Sequence, residues 1–215
     1  MIIAVDGPAA SGKGTLAAGL ARDYGLPHLD TGLLYRAVGR AVAEHDGTPG
    51  FEPAAIAAAR AIDTTALDAE LLSTGEAGQL ASKVAVIGEV RAALFDFQRA
   101  FATQVGGAVL DGRDIGTKIA PDADVKLFIK ADSKARMERR ARQFEMKGIP
   151  VDRYALYHQI EQRDARDMAN PNGGFYPAAD AHLLDTTLLD IEAALRAAVA
   201  IVDGVMVEKS RSGRT

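Results

Sequence analysis

The chain has 215 residues, of which 48% are hydrophobic and 25% are charged, a composition typical of a single globular domain. The formal net charge of −4 provides no overall attraction to nucleic acid or to an anionic membrane, so we expect neither as a partner. Cysteine is absent, which excludes disulfides and thiolate metal sites and is compatible with the cytoplasm, where we expect the protein to act.

Short, continuous apolar runs predict buried strands of the kind found in parallel sheets, which helices cover on both faces. The runs span residues 2–5, 107–110, 125–129 and 182–184, and residues 27–30 predict a fifth, very short strand. Helical patterns alternate with them at residues 13–24, 32–45, 53–61, 78–104, 133–147, 152–167 and 189–202. The alternation predicts an α/β fold with an open, mainly parallel sheet of about five strands and ligands at the carboxyl ends of those strands.

Three segments are less regular. Residues 46–78 and 168–178 are rich in turn-forming residues and predict loops, from which lids over active sites are often built. Residues 209–215 are polar, and we expect that end of the chain to be frayed.

A glycine-rich segment links the first predicted strand to the first predicted helix. It consists of Gly7, Pro8, Ala9, Ala10, Ser11, Gly12, Lys13, Gly14 and Thr15. Glycines at this spacing let the backbone curl so that its N–H groups point at phosphate oxygens, while Lys13 adds a full positive charge. The alternative is a plain connecting turn, but the spacing, the lysine and the strand–loop–helix context together predict an ATP phosphate site.

A second polar segment follows the predicted strand at residues 107–110. Asp111 is placed to hold the water shell of a Mg²⁺ ion together with the Thr15 hydroxyl, although an Asp-Gly pair also forms ordinary turns. The Arg113 side chain matches a phosphate, and Asp114 can accept hydrogen bonds from an amine or a sugar hydroxyl. The alternative for these two residues is an ion pair with each other or with neighbours.

Several segments, in order along the chain, resemble those of bacterial cytidylate kinases, which are P-loop nucleoside monophosphate kinases. They are Gly12-Lys-Gly-Thr15, Asp30-Thr-Gly-Leu-Leu-Tyr-Arg36, Asp111-Gly-Arg-Asp-Ile-Gly-Thr117 and Arg163-Asp-Ala-Arg-Asp167. The resemblance extends from the first predicted strand to the last helix. It implies transfer of the γ-phosphoryl group of ATP to CMP, and to dCMP as well, with Mg²⁺ as cofactor.

The resemblance also implies a set of site residues. Those around CMP are Thr31, Tyr35, Arg36, Ser82, Arg91, Arg113, Asp114, Arg163 and Asp167. Within that set, Arg91 and Asp114 are expected to read cytosine, and Arg36, Arg113 and Arg163 to hold the acceptor phosphate. Lys13, Arg113 and Arg163 are the expected catalytic residues. Arg139, on a helix whose clustered arginines repel one another and would be relieved by an anion, is expected to contact ATP phosphate.

The resemblance further divides the chain into regions within one kinase domain at residues 1–215. Residues 31–105 are expected to bind the monophosphate, and residues 148–178 to form a lid. The stretch 62–80 is shorter than in long bacterial members, and Met168-Ala-Asn170 stands where family members carry a phosphate-gripping arginine, so Arg166 is a candidate substitute.

Two alternative functions follow from the same residues. One is a P-loop kinase of another small acceptor, such as UMP, AMP or a phosphorylated metabolite. The other is a non-catalytic ATP-binding sensor that acts through a partner protein. In either case we expect a monomer, because no long apolar stripe stands out in the sequence.

Overall fold

The computed structural model describes residues 1–65, 67–172 and 174–212, and its centre is a parallel β-sheet. The strands are β1 (Ile2–Asp6), β2 (His28–Asp30), β3 (Ala108–Gly112), β4 (Val125–Lys130) and β5 (His182–Asp185). They lie in the order β2-β3-β1-β4-β5, and every pairing is parallel. The predicted α/β fold and its five-stranded sheet are therefore confirmed, including the short strand at residues 27–30.

Helices connect the strands and cover both faces of the sheet. They are α1 (Lys13–Tyr24), α2 (Thr31–Ala41), α3 (Phe51–Arg60), α4 (Ala69–Leu72), α5 (Gly75–Val84), α6 (Gly88–Ala102), α7 (Ser133–Met146), α8 (Arg153–Ala169) and α9 (Ile191–Ser212). A 3₁₀ turn spans Ala43–His45, and a π-helical turn spans Ile115–Ile119. No helix in the described residues is long and apolar enough to cross a bilayer.

The single helix predicted over residues 78–104 is wrong, because α5 ends at Val84 and α6 begins at Gly88. Side chains from a distant segment stabilise the break. Asn170 Nδ2 donates to the carbonyl of Ala85 at 2.9 Å, and Asn172 Nδ2 donates to that of Val86 at 2.9 Å. These amides satisfy carbonyls that a continuous helix would have used internally.

Other predicted boundaries also need correction. The helix predicted over 32–45 ends at Ala41 and is followed by the 3₁₀ turn, and the helix predicted over 189–202 continues to Ser212, so residues 209–212 are helical. The turn-rich segment 46–78 contains α4, whose N-terminus is capped by the Asp68 carboxylate. In the predicted loop 168–178, α8 reaches Ala169, and Gly173 lies outside the described residues. Ala66 and residues 213–215 also lie outside them.

Apolar side chains alternate between the two faces of the sheet, as strand geometry requires. One face, with Val5, Val109 and Leu127 among its residues, packs against α1 and α9. The opposite face, with Ala4 and Leu110, packs against the π-helical turn and α6.

Two smaller clusters extend beyond the sheet. Helices α2, α3, α5 and α6 share one apolar cluster, and α7 and α8 share another. The carboxyl ends of β1, β2 and β3 therefore open into a cleft that runs between these two groups of helices.

Candidate active site

The loop between β1 and α1 (residues 7–12), which we call the phosphate loop because it is predicted to bind phosphate, is curled so that its backbone faces the cleft. Ala10 has φ of 59° and Gly12 has φ of 91°, both in the left-handed region, and Gly12 caps α1 without a side-chain hydrogen bond. A β-carbon at Gly7 would lie 2.3 Å from the Ile129 carbonyl oxygen, so this position excludes any side chain. The first N–H groups of α1 are thus available for an anion.

Lys13 is the charged group of this loop. Burial, followed by the positive charge of Arg113, lowers the pKa of Lys13 to about 8, although Asp111 and Asp30 oppose the shift. Gly12, Lys13, Gly14 and Thr15 line the cleft together with Ala9 and Ala10. Gly7, Pro8 and Ser11 of the same loop, also predicted to bind phosphate, are buried and do not line the cleft.

Two carboxylates face the loop from the ends of neighbouring strands. Asp30 of β2 pairs in register with Asp111 of β3, and the Asp30 carboxylate caps α2 by accepting from Gly32 N at 2.9 Å. Burial, and then the charge of Asp111, raises the pKa of Asp30. An Asp111 oxygen, Oδ2, lies 3.6 Å from where a β-carbon on Gly14 would be, so this carboxylate approaches the phosphate loop closely.

This donor set suits a magnesium ion that is bound together with a phosphate group. Within the described residues, no three His, Cys, Asp or Glu side chains cluster so as to hold a metal ion by themselves. Mg²⁺ commonly binds through one or two protein oxygens, substrate phosphates and several waters. Asp111, Asp30 and the exposed Thr15 beside the phosphate loop supply the few protein oxygens that such an ion requires.

Asp6, at the end of β1, fixes the turn that follows Asp114. Its two carboxylate oxygens accept hydrogen bonds from Ile115 N and Gly116 N, both at 2.8 Å. Burial raises the pKa of Asp6 to about 7, although these two hydrogen bonds lower it. The strand that leads into the phosphate loop is thereby joined to the turn that begins beside Asp114.

Arg91 and Asp114 form a largely buried ion pair at the inner end of the cleft. Arg91 Nη2 donates to Asp114 Oδ2, and the two side chains are 13% and 8% exposed. Burial raises the pKa of Asp114 while Arg91 lowers it. The Arg91 guanidinium also lies over the Tyr35 ring, 5.7 Å from its centroid. The pair therefore offers the hydrogen-bond donors of the Arg91 guanidinium and the acceptor oxygens of the Asp114 carboxylate to the same part of the cleft.

Asp167 of α8 connects three further side chains across the cleft. Its carboxylate accepts from Ser82 Oγ at 2.7 Å and from Arg113 Nε at 2.9 Å, and Arg163 Nε lies 3.8 Å away. Burial acts to raise the pKa of Asp167, but Arg113 and Arg163 outweigh it and hold that pKa below its usual value. The carboxylate is therefore ionised and already hydrogen-bonded.

Arginines concentrate positive charge in the middle of the cleft. Burial, and then Arg113, lowers the pKa of Arg163 to about 9, and burial followed by Arg36 lowers that of Arg140. The buried Nε atoms of Arg36 and Arg163 have no hydrogen-bond partner. Cations this close, with donors left unused, form a site for a multiply charged anion.

Three predicted residues have other hydrogen bonds in the structure. Arg139 donates to Ser11 O at 3.2 Å and to Thr186 Oγ1 at 3.1 Å, so it braces the phosphate loop from outside the cleft lining. The Thr31 hydroxyl lines the cleft but donates to Asp111 O at 2.9 Å. Arg166 Nη2 donates to Gln79 Oε1, which ties α8 to α5.

The remaining predicted residues are brought into one cleft of about 280 Å³. Lys13, Arg36, Ser82, Arg91, Asp111, Arg113, Asp114, Arg163 and Asp167 all line it. Sequence reasoning missed Asp30, Gln79 and Asn170, which line it as well, and it considered Arg140 only as a member of the arginine cluster that includes Arg139. Arg140 follows Arg139 directly, and only the rotation of α7 about its axis decides which of the two faces the cleft.

Comparison with known proteins gives consistent matches along the chain. A family model described as cytidylate kinase matches residues 3–203. A cytidylate kinase of Methylocella silvestris is 54% identical over 203 residues, covering 94% of each chain, and one of Xanthobacter autotrophicus is 54% identical over 214 residues, covering 100% of each. A solved structure of an uncharacterized protein from Eubacterium ventriosum has a TM-score of 0.56 at 16% identity, covering 94% of this chain and 98% of that one, a likeness that concerns the fold alone.

Proposed function

The chain belongs to the cytidylate kinase family and is an ATP-dependent kinase of CMP, and we propose that the cleft at the ends of β1, β2 and β3 is where it phosphorylates CMP and also dCMP. The observation that carries this assignment is the buried Arg91–Asp114 pair, which shares one cleft with the phosphate loop. A nucleotide base and a row of phosphates can therefore bind in the same cleft.

The base is read by the Arg91–Asp114 pair. Cytosine has an exocyclic amine that donates a hydrogen bond and ring atoms that accept, so Asp114 accepts from the amine while Arg91 donates to the ring. Uracil presents a carbonyl in place of the amine and leaves two acceptors facing each other. A buried polar group left unpaired in this way costs about 1–3 kcal/mol, which favours CMP over UMP.

The sugar and the acceptor phosphate lie nearer to α8. Asp167, with Ser82 beside it, is placed for the ribose hydroxyls, and Arg36, Arg113 and Arg163 are placed for the phosphate. The hydrogen bonds of Asp167 support acceptance of dCMP. When the 2′-hydroxyl of the sugar is missing, the Asp167 carboxylate still has Arg113 and Ser82 as hydrogen-bond partners. Arg140, from the same arginine cluster as Arg139, adds another cation at this point.

Phosphoryl transfer follows from the placement of these charges. A phosphate oxygen of CMP attacks the γ-phosphorus of ATP; the new P–O bond forms as the bond to the β-phosphate oxygen breaks, and ADP leaves with that electron pair. The attacking oxygen is already anionic at neutral pH, so no strong general base is required. Lys13, Arg113 and Arg163 neutralise the charge that develops, and the cleft holds the two anions in line.

Magnesium is the proposed cofactor, and it would bind together with ATP. When bound, it neutralises charge on the phosphates that are transferred and left behind. Asp111 and Thr15 are the residues proposed to hold it through its water shell, with Asp30 close by.

Further assignments concern the whole molecule. Residues 31–105 form the region that binds the monophosphate, and residues 148–178 form a lid that closes over the phosphates and suppresses transfer to water. We also propose that the protein works as a monomer in the cytoplasm, where ATP and CMP are its small-molecule substrates. Arg139 acts on ATP indirectly, by bracing the phosphate loop.

Lys13→Ala tests whether this cleft performs the chemistry. We expect turnover with ATP and CMP to fall by at least about a hundredfold, because loss of a preorganised charge at the reacting phosphates has effects of this size. The fold is checked by circular dichroism and thermal unfolding, with Lys147→Ala, on an exposed residue after α7, as the matched control. Near-normal turnover by folded Lys13→Ala would contradict the proposed roles. A wild-type protein that binds ATP but never completes multiple turnovers would instead support the sensor alternative.

A further inference from the structure

His28 contacts the Asp111 carboxylate but, unlike Asp111, is not among the residues that line the cleft. Its Nε2 atom lies 2.8 Å from Asp111 Oδ1, and the tautomer of His28 that carries its hydrogen on Nε2 donates it to that carboxylate oxygen. The imidazole is 24% exposed, whereas the Asp111 side chain is 2% exposed. Asp30 and Asp111 are among the described residues that line the cleft, whereas His28 is outside this lining.

The register of the sheet explains this contact. His28 of β2 pairs with Val109 of β3, and Asp30 pairs with Asp111. Side chains two residues apart on a strand share a face, so His28, Asp30 and Asp111 all project toward α1. His28 therefore reaches Asp111 diagonally, while Asp30 stands beside Asp111 at the cleft.

Within the described residues, the contact with His28 is the only hydrogen bond to the Asp111 carboxylate. Asp111 shares Lys13 with Asp30, and the two carboxylates are close enough that Asp111 raises the pKa of Asp30. Mutual repulsion of this kind would turn a free carboxylate away from its neighbour. His28 holds Oδ1, while Oδ2 remains within 3.6 Å of the position that a β-carbon on Gly14 would occupy.

We propose that His28 is a positioning residue for phosphoryl transfer, which fixes the Asp111 carboxylate so that its second oxygen faces the phosphate loop and the hydrated cation of bound ATP. This inference rests on the role proposed above for Asp111. Partners that orient metal-bound groups in this way commonly change metal affinity or activity by about 10- to 100-fold when removed. Because Asp111 would hold the ion through its water shell, we expect an effect at the lower end of this range.

A purely structural role for His28 makes different predictions. Strand β2 has three residues and pairs only with β3 in the described sheet, so a His28–Asp111 bond could simply fasten an edge strand. In that case its removal would lower the melting temperature and would leave the binding of divalent cations unchanged. The two roles are therefore separable by experiment.

The test compares His28→Phe, which keeps the ring size and loses the donor, with wild-type protein and with Asp111→Asn. Titration of Mn²⁺ into the ADP-bound protein, followed by electron paramagnetic resonance, measures cation affinity without turnover. We expect His28→Phe to weaken Mn²⁺ binding about tenfold and to lower kcat about tenfold, with KM for CMP nearly unchanged. His28→Gln, which retains an N–H donor, should recover part of both losses.

The double variant His28→Phe/Asp111→Asn decides whether the two residues act together. We expect it to match Asp111→Asn alone, because His28 has nothing left to position once Asp111 is changed. His182→Phe, on the opposite edge strand, is the matched control and should leave Mn²⁺ affinity and kcat unchanged. If the Phe variant does not fold, His28→Asn serves instead, since its shorter side chain does not reach Asp111.

The possible failures are distinguishable. If Asp111→Asn leaves kcat and Mn²⁺ affinity unchanged, the proposed role of Asp111 is wrong and this inference falls with it. If Asp111→Asn impairs both and His28→Phe changes only the melting temperature, the proposed function stands and the positioning role of His28 is overturned. Multiplicative losses in the double variant would also overturn it.

Discussion

Asp114→Asn is the substitution that tests how the cleft distinguishes pyrimidines. The side chain keeps its shape but loses its charge and replaces one acceptor oxygen with a donor. Asp114 and Arg91 are 8% and 13% exposed, so little water is available to replace the lost interaction. Hydrogen bonds to charged groups contribute about 1.5–3 kcal/mol, which corresponds to a loss of roughly 10- to 150-fold in kcat/KM for CMP.

UMP should respond differently to the same substitution. The asparagine amide can donate to the uracil carbonyl that repels the wild-type carboxylate, which offsets part of the damage from leaving Arg91 without its ion pair. We therefore expect the preference for CMP over UMP to fall about tenfold or more. The assay follows ADP formation by a coupled enzyme reaction at saturating MgATP, with CMP or UMP varied.

A matched control comes from a second Asp–Arg pair. Asp122 accepts two hydrogen bonds from Arg99 at the surface, where the Asp122 side chain is 57% exposed. Asp122→Asn should leave both kcat/KM values within about twofold of wild type, since exposed pairs contribute little. Equal losses for CMP and UMP in Asp114→Asn would refute the base-reading argument and leave Asp114 with a structural role only.

Three further predictions follow from individual contacts. Because burial lowers the pKa of Lys13 to about 8, Lys13 of the free enzyme loses its proton as the pH rises through 8. Above that pH, KM for ATP should rise by up to about tenfold per pH unit. Lys13→Arg should abolish the rise, because arginine keeps its charge. Gly39→Ala should lower the free energy of unfolding in urea by about 1–3 kcal/mol and raise KM for CMP, because the added β-carbon would lie 2.8 Å from Leu80 Cβ. Gly204→Ala is the control, since a β-carbon there would have nothing within 4 Å. It should raise the free energy of unfolding by up to about 1 kcal/mol. Asp6→Asn places an amide donor against the turn after Asp114 and should raise KM for CMP more than KM for ATP. Asp124→Asn should change neither, because the Asp124 carboxylate accepts from Ile2 N at the opposite end of β1.

Each of these predictions has an outcome that contradicts it. A KM for ATP that stays flat to pH 9.5 would mean that Lys13 titrates at its ordinary value. Equal stability of Gly39→Ala and wild type would mean that α2 and α5 separate without loss. A parallel rise of both KM values in Asp6→Asn would mean that the Asp6 carboxylate supports the phosphate loop rather than the turn after Asp114.

Local sequence patterns were sufficient for the sheet and the phosphate loop. Continuous apolar runs mark strands that are covered on both faces, and the glycine spacing before Lys13 marks a backbone that curls around an anion. Even β2 (His28–Asp30) was predicted, as a very short strand within residues 27–30. These features depend on residues close together in the chain.

The break between α5 and α6 depends on residues far apart in the chain. Residues 78–104 have a helical pattern throughout, and the carbonyls exposed at the break are satisfied by Asn170 and Asn172. Nothing within residues 78–104 carries that information. The predicted continuous helix was wrong for this reason.

The sequence alone also could not show which of several neighbouring polar residues faces the cleft. Arg139 and Arg140 have the same chemistry, and only the packing of α7 places Arg140 in the cleft and Arg139 on Thr186. His28 showed no metal-ligand spacing with other histidines, and its contact with Asp111 arises from strand pairing. Such contacts become visible only when distant segments are brought together.

The most direct test of the whole account is a comparison of acceptors under one set of conditions. ADP formation is measured with MgATP and, separately, CMP, dCMP, UMP and AMP, and kcat/KM is determined for each. We expect CMP to be the best acceptor, dCMP to be close to it, and UMP and AMP to be at least about tenfold poorer. A higher kcat/KM for UMP or AMP than for CMP would contradict the assignment of Arg91 and Asp114 as the residues that read cytosine.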